Sequence, residues 1–207
     1  MSRVGWASIA SGILGLVAVA CLFAYLATQA RTFMQTGVMP PLGRVFLTAN
    51  YAGGLLQALL MIPAAIAVSA LGERGSSRVR RVTTVVGCIG LSLVALLKLL
   101  LLLPDPALSD ILFMGPTGFV GVWLVVVNGL LAGKLALSAR ILGTIAGLGL
   151  VIVGLSFFFL GGLAVLTDGP FAYANDVDFH IGIAIGGVPG FILYPIWAVL
   201  LGRRLLP

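Results

Sequence analysis

One lysine stands inside an apolar run that is long enough to cross a bilayer. The run, VTTVVGCIGLSLVALLKLLLLLP, covers residues 82–104, and Lys98 is its single charge. A lysine at the bilayer centre costs about 2.5–3.5 kcal/mol, and ionisable residues within spans commonly mark functional sites. Lys98 lies six residues before Pro104, which is about 9 Å along a helix. Two interpretations stay open: the side chain extends to the outer headgroups, or it faces the helix bundle.

If Lys98 faces the bundle, we expect it to pair with an acid at the outer end of the spans. The candidates are Asp110, Asp176 and Asp178. A buried charge needs a partner of opposite sign, because removal of an unpaired ion from water costs several kcal/mol. Such a pair beneath the outer loops would form a polar pocket for an anionic or polar ligand.

Three further polar side chains extend this candidate site. Asn50 and Gln57 are seven residues apart, so they share one helix face; they either join neighbouring helices by hydrogen bonds or contact a ligand. His180, the single histidine, is interpreted as an interfacial loop residue, an axial ligand of a haem or chlorin, or a proton-responsive group beside Asp178. The predicted ligand-binding residues are Lys98, Asp176, Asp178, His180, Asn50 and Gln57.

Motifs for catalysis and for metal or cofactor binding are absent from the sequence. It contains no phosphate-binding loop, no G-x-S-x-G, no H-E-x-x-H and no C-x-x-C. One histidine cannot form a multi-histidine metal site, and Cys21 and Cys88 lie within apolar runs without paired spacing. We therefore predict no catalytic residues, no metal, no cofactor and no enzymatic activity.

The elements that must position these residues are membrane-spanning helices. Of the 207 residues 60% are hydrophobic and only 9% are charged, whereas soluble domains carry about 25% charged residues. Apolar runs of about 20 residues without alternation predict helices. We expect one all-α domain, a bundle of six transmembrane helices, with spans at about 5–27, 46–70, 82–104, 111–131, 141–166 and 181–201.

The basic residues predict the orientation of the bundle. With both termini in the cytoplasm, the inner segments hold nine lysines and arginines, and the outer loops hold only Arg31 and Arg44. Short loops rich in these residues stay inside, so we predict an N-in and C-in topology in a bacterial cytoplasmic membrane. The same rule accounts for the net charge of +6, and nucleic acid is not an expected partner. The outer segment from Arg31 to Arg44 is long enough for a short interfacial helix.

Small residues and prolines predict how the helices pack. Glycines four residues apart favour close helix contacts in membranes, and we interpret them as contacts within the chain; the pairs are Gly129/Gly133, Gly143/Gly147, Gly182/Gly186 and Gly186/Gly190. Asn128 is expected to hydrogen-bond between helices. Pro63, Pro189 and Pro195 each remove a backbone donor within a span, so we expect kinks there.

The stretch 115–166 resembles an uncharacterised bacterial multi-span family, domain-of-unknown-function family 4386. Members of that family tend to show a Pro-Arg-x-Leu-Gly-like turn between a span and a glycine-rich span. In this sequence Arg140, Leu142 and Gly143 match that turn, and Ala139 stands in place of the proline. The resemblance implies a six-helix bundle in a bacterial inner membrane, and the family has no established activity to transfer.

These observations favour a non-enzymatic membrane protein. The leading hypothesis is an accessory subunit of a membrane assembly, or a small ligand- or lipid-binding sensor with an outer-side polar pocket. The alternative is a small transporter that uses Lys98 and the sixth span. Expected partners are membrane lipids, a partner membrane protein or a second copy of the chain, and a small lipophilic or anionic ligand.

Overall fold

The computed structural model describes residues 2–71, 75–103, 109–169 and 176–206, and this part of the chain is helical. Because lipid offers no hydrogen bonds to an exposed backbone, an apolar chain satisfies its amides within helices. The α-helices are α1 (Ser2–Thr28), α2 (Ala30–Thr36), α3 (Pro41–Leu71), α4 (Ser77–Leu100), α5 (Met114–Leu130), α6 (Leu137–Phe159) and α7 (Val177–Leu205). A short 3₁₀ helix, Gly162–Leu166, follows α6.

Five of these helices are long and apolar enough to cross a membrane, which confirms an all-helical, multi-pass membrane protein. The qualifying segments are Arg3–Thr28, Pro41–Val68, Ser77–Leu100, Leu137–Phe159 and Val177–Leu205. The apolar helix Met114–Leu130 has 17 residues, at the lower limit of about 17–25 residues for a span. The sixth span therefore stays a prediction.

The region around the predicted fifth span differs from the sequence prediction. The stretch 141–166 is α-helical only as far as Phe159. Gly161 has a φ of 91°, a left-handed conformation that ends the helix and that glycine adopts without steric cost. Gly162–Leu166 then forms the 3₁₀ helix, so the prediction of one continuous helix to Leu166 was wrong.

The outer connections also differ in part from the prediction. Asp178 and His180 were placed in a polar loop, but α7 begins at Val177 and includes both. The helix begins there because the Asp176 carboxylate accepts a hydrogen bond from the Phe179 backbone N–H at 2.9 Å, an N-cap. The expected short helix between Arg31 and Arg44 is present as Ala30–Thr36. Residues 104–108, between the predicted third and fourth spans, lie outside the described residues.

The six long helices form a closed ring. Each packs against two others, in the order α1, α3, α4, α5, α6, α7 and back to α1. Gly5 near the start of α1 lies against Gly202 near the end of α7. Eight of the described basic residues lie toward this end, called here the basic end: Arg3, Arg78, Arg80, Arg81, Lys134, Arg140, Arg203 and Arg204.

Glycines bring α5, α6 and α7 into backbone contact. A Cβ atom on Gly149 would lie 2.5 Å from the Gly186 carbonyl oxygen, and one on Gly121 would lie 2.5 Å from the Gly147 carbonyl oxygen. The predicted contacts of Gly143, Gly147, Gly182, Gly186 and Gly190 within the chain are confirmed. The Gly121 contact, and that of Gly118 with Gly154, had not been singled out in the sequence.

The predicted contact of the pair Gly129 and Gly133 is not found among the described residues. A Cβ atom at either position would meet no described atom within 4 Å. Gly133 follows the end of α5 and has a φ of 90°, so its role is to form the turn, where an L side chain would be strained.

Large side chains fill the half of the ring near the basic end. Trp123 and Trp197 are fully buried, and their rings meet edge to face with centroids 5.8 Å apart. The Trp197 indole N–H donates to Asn128 Oδ1 at 2.9 Å, and Arg140 Nε donates to the Asn128 carbonyl at 2.9 Å. The expected interhelical hydrogen bond of Asn128 is confirmed, and this filled half forms the floor of the site described next.

Candidate ligand-binding site

A cavity of about 430 Å³ occupies the half of the ring away from the basic end. Its volume falls within the range of about 300–1,000 Å³ typical of small-molecule sites. All six long helices contribute to the lining, which is mostly aliphatic and aromatic. The polar side chains in this lining are Asn50, Gln57, Lys98, Thr117 and Tyr194.

Lys98 is buried at the wall of this cavity rather than extended to the headgroups. Only 5% of its surface is exposed, which favours the bundle-facing interpretation. Its stem lies along Gly54, where a Cβ atom would touch Lys98 Cε at 3.4 Å. Helix α4 contributes this residue from its last turn, and a glycine on α3 leaves room for the long side chain.

Two aromatic faces and one amide surround the ammonium group. Lys98 Nζ lies 3.4 Å from the centroid of the Phe113 ring and 5.0 Å from that of Tyr51. It donates a long hydrogen bond of 3.4 Å to Asn50 Oδ1. Cation–π contacts contribute about 0.5–2 kcal/mol each, less than the several kcal/mol lost on desolvation of the charge. The carboxylate of Asp110, one of the three candidate acids, also acts on Lys98 electrostatically.

The two predicted amides share the cavity wall with Lys98. Asn50 is buried and donates from Nδ2 to the Ala18 carbonyl at 2.8 Å, which joins α3 to α1 and orients Oδ1 toward Lys98. Gln57 lies two turns deeper, with its side-chain amide against Gly15 of α1. Both residues line the cavity. Asn50 therefore joins two helices by a hydrogen bond and is also placed where it can contact a ligand.

Tyr194 lines the cavity, and its hydroxyl oxygen is buried. The residue is 7% exposed, and its ring stacks on Trp197 with centroids 6.4 Å apart. Within the described part of the chain, the Tyr194 hydroxyl has no hydrogen-bond partner. Buried tyrosine hydroxyls usually find one, so this group is unusual.

The cavity is open on one side, between the second half of α1 and the first half of α7. Three residues that line it have half or more of their surface exposed: Phe23, Leu26 and Val188. The close backbone contact between these helices is nearer the basic end, where Gly12 meets the carbonyl of Pro195. The two helices therefore meet at the floor and leave a lateral opening above it.

The structure does not bring the remaining predicted residues to this cavity. Asp176 caps α7, and its carboxylate lies against Gly161. Asp178 and His180 are exposed in the first turn of α7, and His180 Nδ1 lies 2.6 Å from the Asp176 carbonyl oxygen. None of the three lines the cavity. In the described residues no group of three His, Cys, Asp or Glu side chains is arranged to hold a metal ion.

Sequence reasoning missed the aromatic part of the site. Phe113 lies just before α5 and covers Lys98, and its ring packs on Phe191 with centroids 6.1 Å apart. Tyr194 had not been singled out as a site residue in the sequence. The one signal for Tyr194 in the sequence was the neighbouring Pro195, a proline within a predicted span.

Comparison with known proteins gives no family for this chain: no family model, curated protein or solved structure matches it.

Proposed function

We propose that this protein is a non-enzymatic binding protein of a bacterial cytoplasmic membrane, with six spans and both termini inside. Its ligand is a lipid-soluble molecule with an anionic head, which lies in the outer-half cavity with the head at Lys98. The basic residues at one end of the ring support this orientation, since lysine and arginine in short loops stay in the cytoplasm.

The observation that carries the proposal is a buried ammonium group at the wall of an apolar cavity. Lys98 contacts an amide oxygen and two ring faces, and the nearby Asp110 carboxylate acts on it electrostatically without a hydrogen bond between the two. An anionic group beside it would supply the charge-assisted hydrogen bond that these contacts leave unmade. The aliphatic lining would take up the apolar part of the same molecule.

The lateral opening supports entry from the lipid phase. Exposed apolar residues of α1 and α7, including Phe23 and Val188, flank it. In a membrane these side chains would face acyl chains. An amphiphile could therefore enter the cavity laterally from the bilayer without passing through water. This route suits a lipophilic ligand better than a water-soluble one.

Native mass spectrometry of the protein extracted gently from its own membrane tests the proposal. We expect a small molecule of defined mass to stay bound to the wild type and to be lost from Lys98→Met. Removal of a charge-assisted hydrogen bond worth about 1.5–3 kcal/mol weakens binding about 10- to 150-fold.

Arg44→Met is the matched control, because it removes a cation at the same end of the bundle from an exposed position outside the cavity. The control should keep the bound molecule. Equal retention by wild type and Lys98→Met would contradict the proposal. A stoichiometric partner chain and no small molecule would instead favour an accessory subunit of a membrane assembly.

A small transporter is the second candidate, and the position of α7 favours it. This helix forms one side of the lateral opening and contains Pro189 and Pro195. Each proline removes a backbone hydrogen bond and lowers the resistance of the helix to bending. If the protein is a transporter, we expect it to move the retained molecule between the leaflets of reconstituted vesicles, and we expect Lys98→Met to abolish this flux. Binding without flux would contradict transport and favour the binding protein.

A further inference from the structure

Gln57 brings to the cavity an amide group that is both unpaired and accessible. Among the other polar residues of the lining, Lys98 donates to Asn50, and Thr117 donates to a backbone carbonyl. The side chain of Gln57 makes no hydrogen bond to the described residues. Within the described part of the chain, the Tyr194 hydroxyl oxygen is the one buried side-chain nitrogen or oxygen that lacks a partner. The unpaired amide atoms of Gln57 therefore retain accessible surface, and a ligand can reach them.

The position of Gln57 directs its amide to the interior of the bundle. The residue lies on the same face of α3 as the buried Asn50 and Met61. On α1, a Cβ atom at Gly15 would lie 2.5 Å from the amide carbon of Gln57, so the missing side chain at Gly15 leaves room for the amide. Both residues line the cavity. Because an amide in an apolar wall costs free energy unless it is hydrogen-bonded, a partner within the cavity would stabilise it.

We infer that Gln57 is a second polar anchor of the ligand, and that the ligand is a single-chain carboxylate with a hydroxyl or keto oxygen near the middle of its chain. The inference rests on the proposed function, in which Lys98 holds the anionic head. The Gln57 amide can donate to either kind of oxygen and can accept from a hydroxyl group. A plain acyl chain would leave the amide unpaired, so the second anchor distinguishes oxygenated chains from plain ones.

The spacing of the two anchors sets the position of this oxygen. Asn50, which accepts the hydrogen bond of Lys98, precedes Gln57 by seven residues on α3, a distance of about 10 Å along the helix. In an extended chain three single bonds span about 3.3–3.6 Å, so 10 Å corresponds to about nine bonds. With the carboxylate at Lys98, an oxygen on about the tenth carbon therefore lies beside Gln57.

Binding of three carboxylates to the full-length protein in lipid nanodiscs tests this inference. The probes are stearate, 10-hydroxystearate and 16-hydroxystearate, and the last two differ only in whether the hydroxyl group lies at the expected carbon or beyond it. We expect the wild type to bind 10-hydroxystearate about two- to tenfold more tightly than 16-hydroxystearate, the value of one neutral hydrogen bond. Gln57→Met keeps a side chain of similar length without the amide, so it should remove this preference and leave the affinity for stearate unchanged.

Lys98→Met separates the inference from the proposed function. If the carboxylate head lies at Lys98, this variant weakens binding of all three probes alike, whatever Gln57 does. Unchanged binding of the three probes in Lys98→Met would overturn the proposed function. Binding that depends on Lys98, with equal affinity of the wild type for the two hydroxystearates, would overturn the role of Gln57 alone.

Ser11→Ala is the matched control, because it alters the same contact between α1 and α3 without altering the amide. The Ser11 hydroxyl donates to the Gln57 backbone carbonyl at 2.9 Å, and Ser11 does not line the cavity. Ser11→Ala should lower thermal stability and keep the preference for 10-hydroxystearate. Gln57→Met removes no side-chain hydrogen bond within the described chain, so it should keep the stability and lose the preference. Loss of the preference in both variants, or weaker binding of stearate in Gln57→Met, would mean that the substitutions act on the shape of the cavity and would contradict the second anchor.

Discussion

Gly186 and Gly187 are neighbours on α7 that face different surroundings, and this difference makes a sharp prediction. A Cβ atom on Gly186 would lie 2.6 Å from the carbonyl oxygen of Gly149 on α6. The three atoms nearest to a Cβ atom on Gly187 belong to side chains of its own helix, the nearest being Phe191 at 3.4 Å, an ordinary contact. We predict that Gly186→Ala destabilises the bundle and that Gly187→Ala does not.

The expected difference in stability comes from the one contact that the two variants do not share. Each replaces glycine by alanine in the same helix, so the gain in helix propensity of about 0.5–1 kcal/mol is common to both. Only Gly186→Ala must move two backbones apart, and overpacking of this kind costs about 1–3 kcal/mol. For a chain of this size 1 kcal/mol shifts the melting temperature by about 2–4 °C, so the variants should differ by roughly 2–12 °C.

Thermal unfolding in detergent, followed by tryptophan fluorescence, measures this difference. Gly187→Leu extends the comparison to function, because Gly187 lines the cavity and the atoms nearest to its Cβ position belong to α7. We expect it to unfold at the wild-type temperature or above and to lose the bound molecule. Equal melting temperatures of the two alanine variants would refute the packing argument, and full ligand retention by Gly187→Leu would refute the position of the site.

Three further predictions address the orientation, the filled half and the lateral opening. In a background without native cysteines, a cysteine at Arg31 should react with an impermeant reagent in intact cells, and one at Arg203 only after permeabilisation; the reverse pattern would invert the topology. Asn128→Ala leaves the buried Trp197 N–H without its acceptor, so it should lower stability by about 1–3 kcal/mol, and an unchanged melting temperature would mean that the bond contributes nothing. Val188→Trp adds bulk at the opening, so it should slow ligand exchange more than it weakens equilibrium binding, as stopped-flow measurements would show; unchanged exchange rates would exclude this route.

The sequence alone determined the class of the protein and the elements of its fold. Long apolar runs require helices, since a backbone in lipid must satisfy its own hydrogen bonds, and this constraint is local. The same local reasoning placed Asn50 and Gln57 on one helix face and identified Lys98 as a costly charge. It also identified Gly143, Gly147 and Gly186 as contact points, because close helix approach depends on small side chains.

Only the tertiary structure decided which of these residues meet. Lys98 lies beneath Phe113 rather than beside Asp176 or Asp178, because the ring order puts the start of α5 next to the end of α4 and a capping bond holds Asp176 at α7. Tyr194 lines the cavity because α7 packs along α6 and leaves α1 above the contact between Gly12 and Pro195. Hydropathy and spacing are properties of single segments, whereas the neighbours of a helix, and so the lining of the site, depend on all six together.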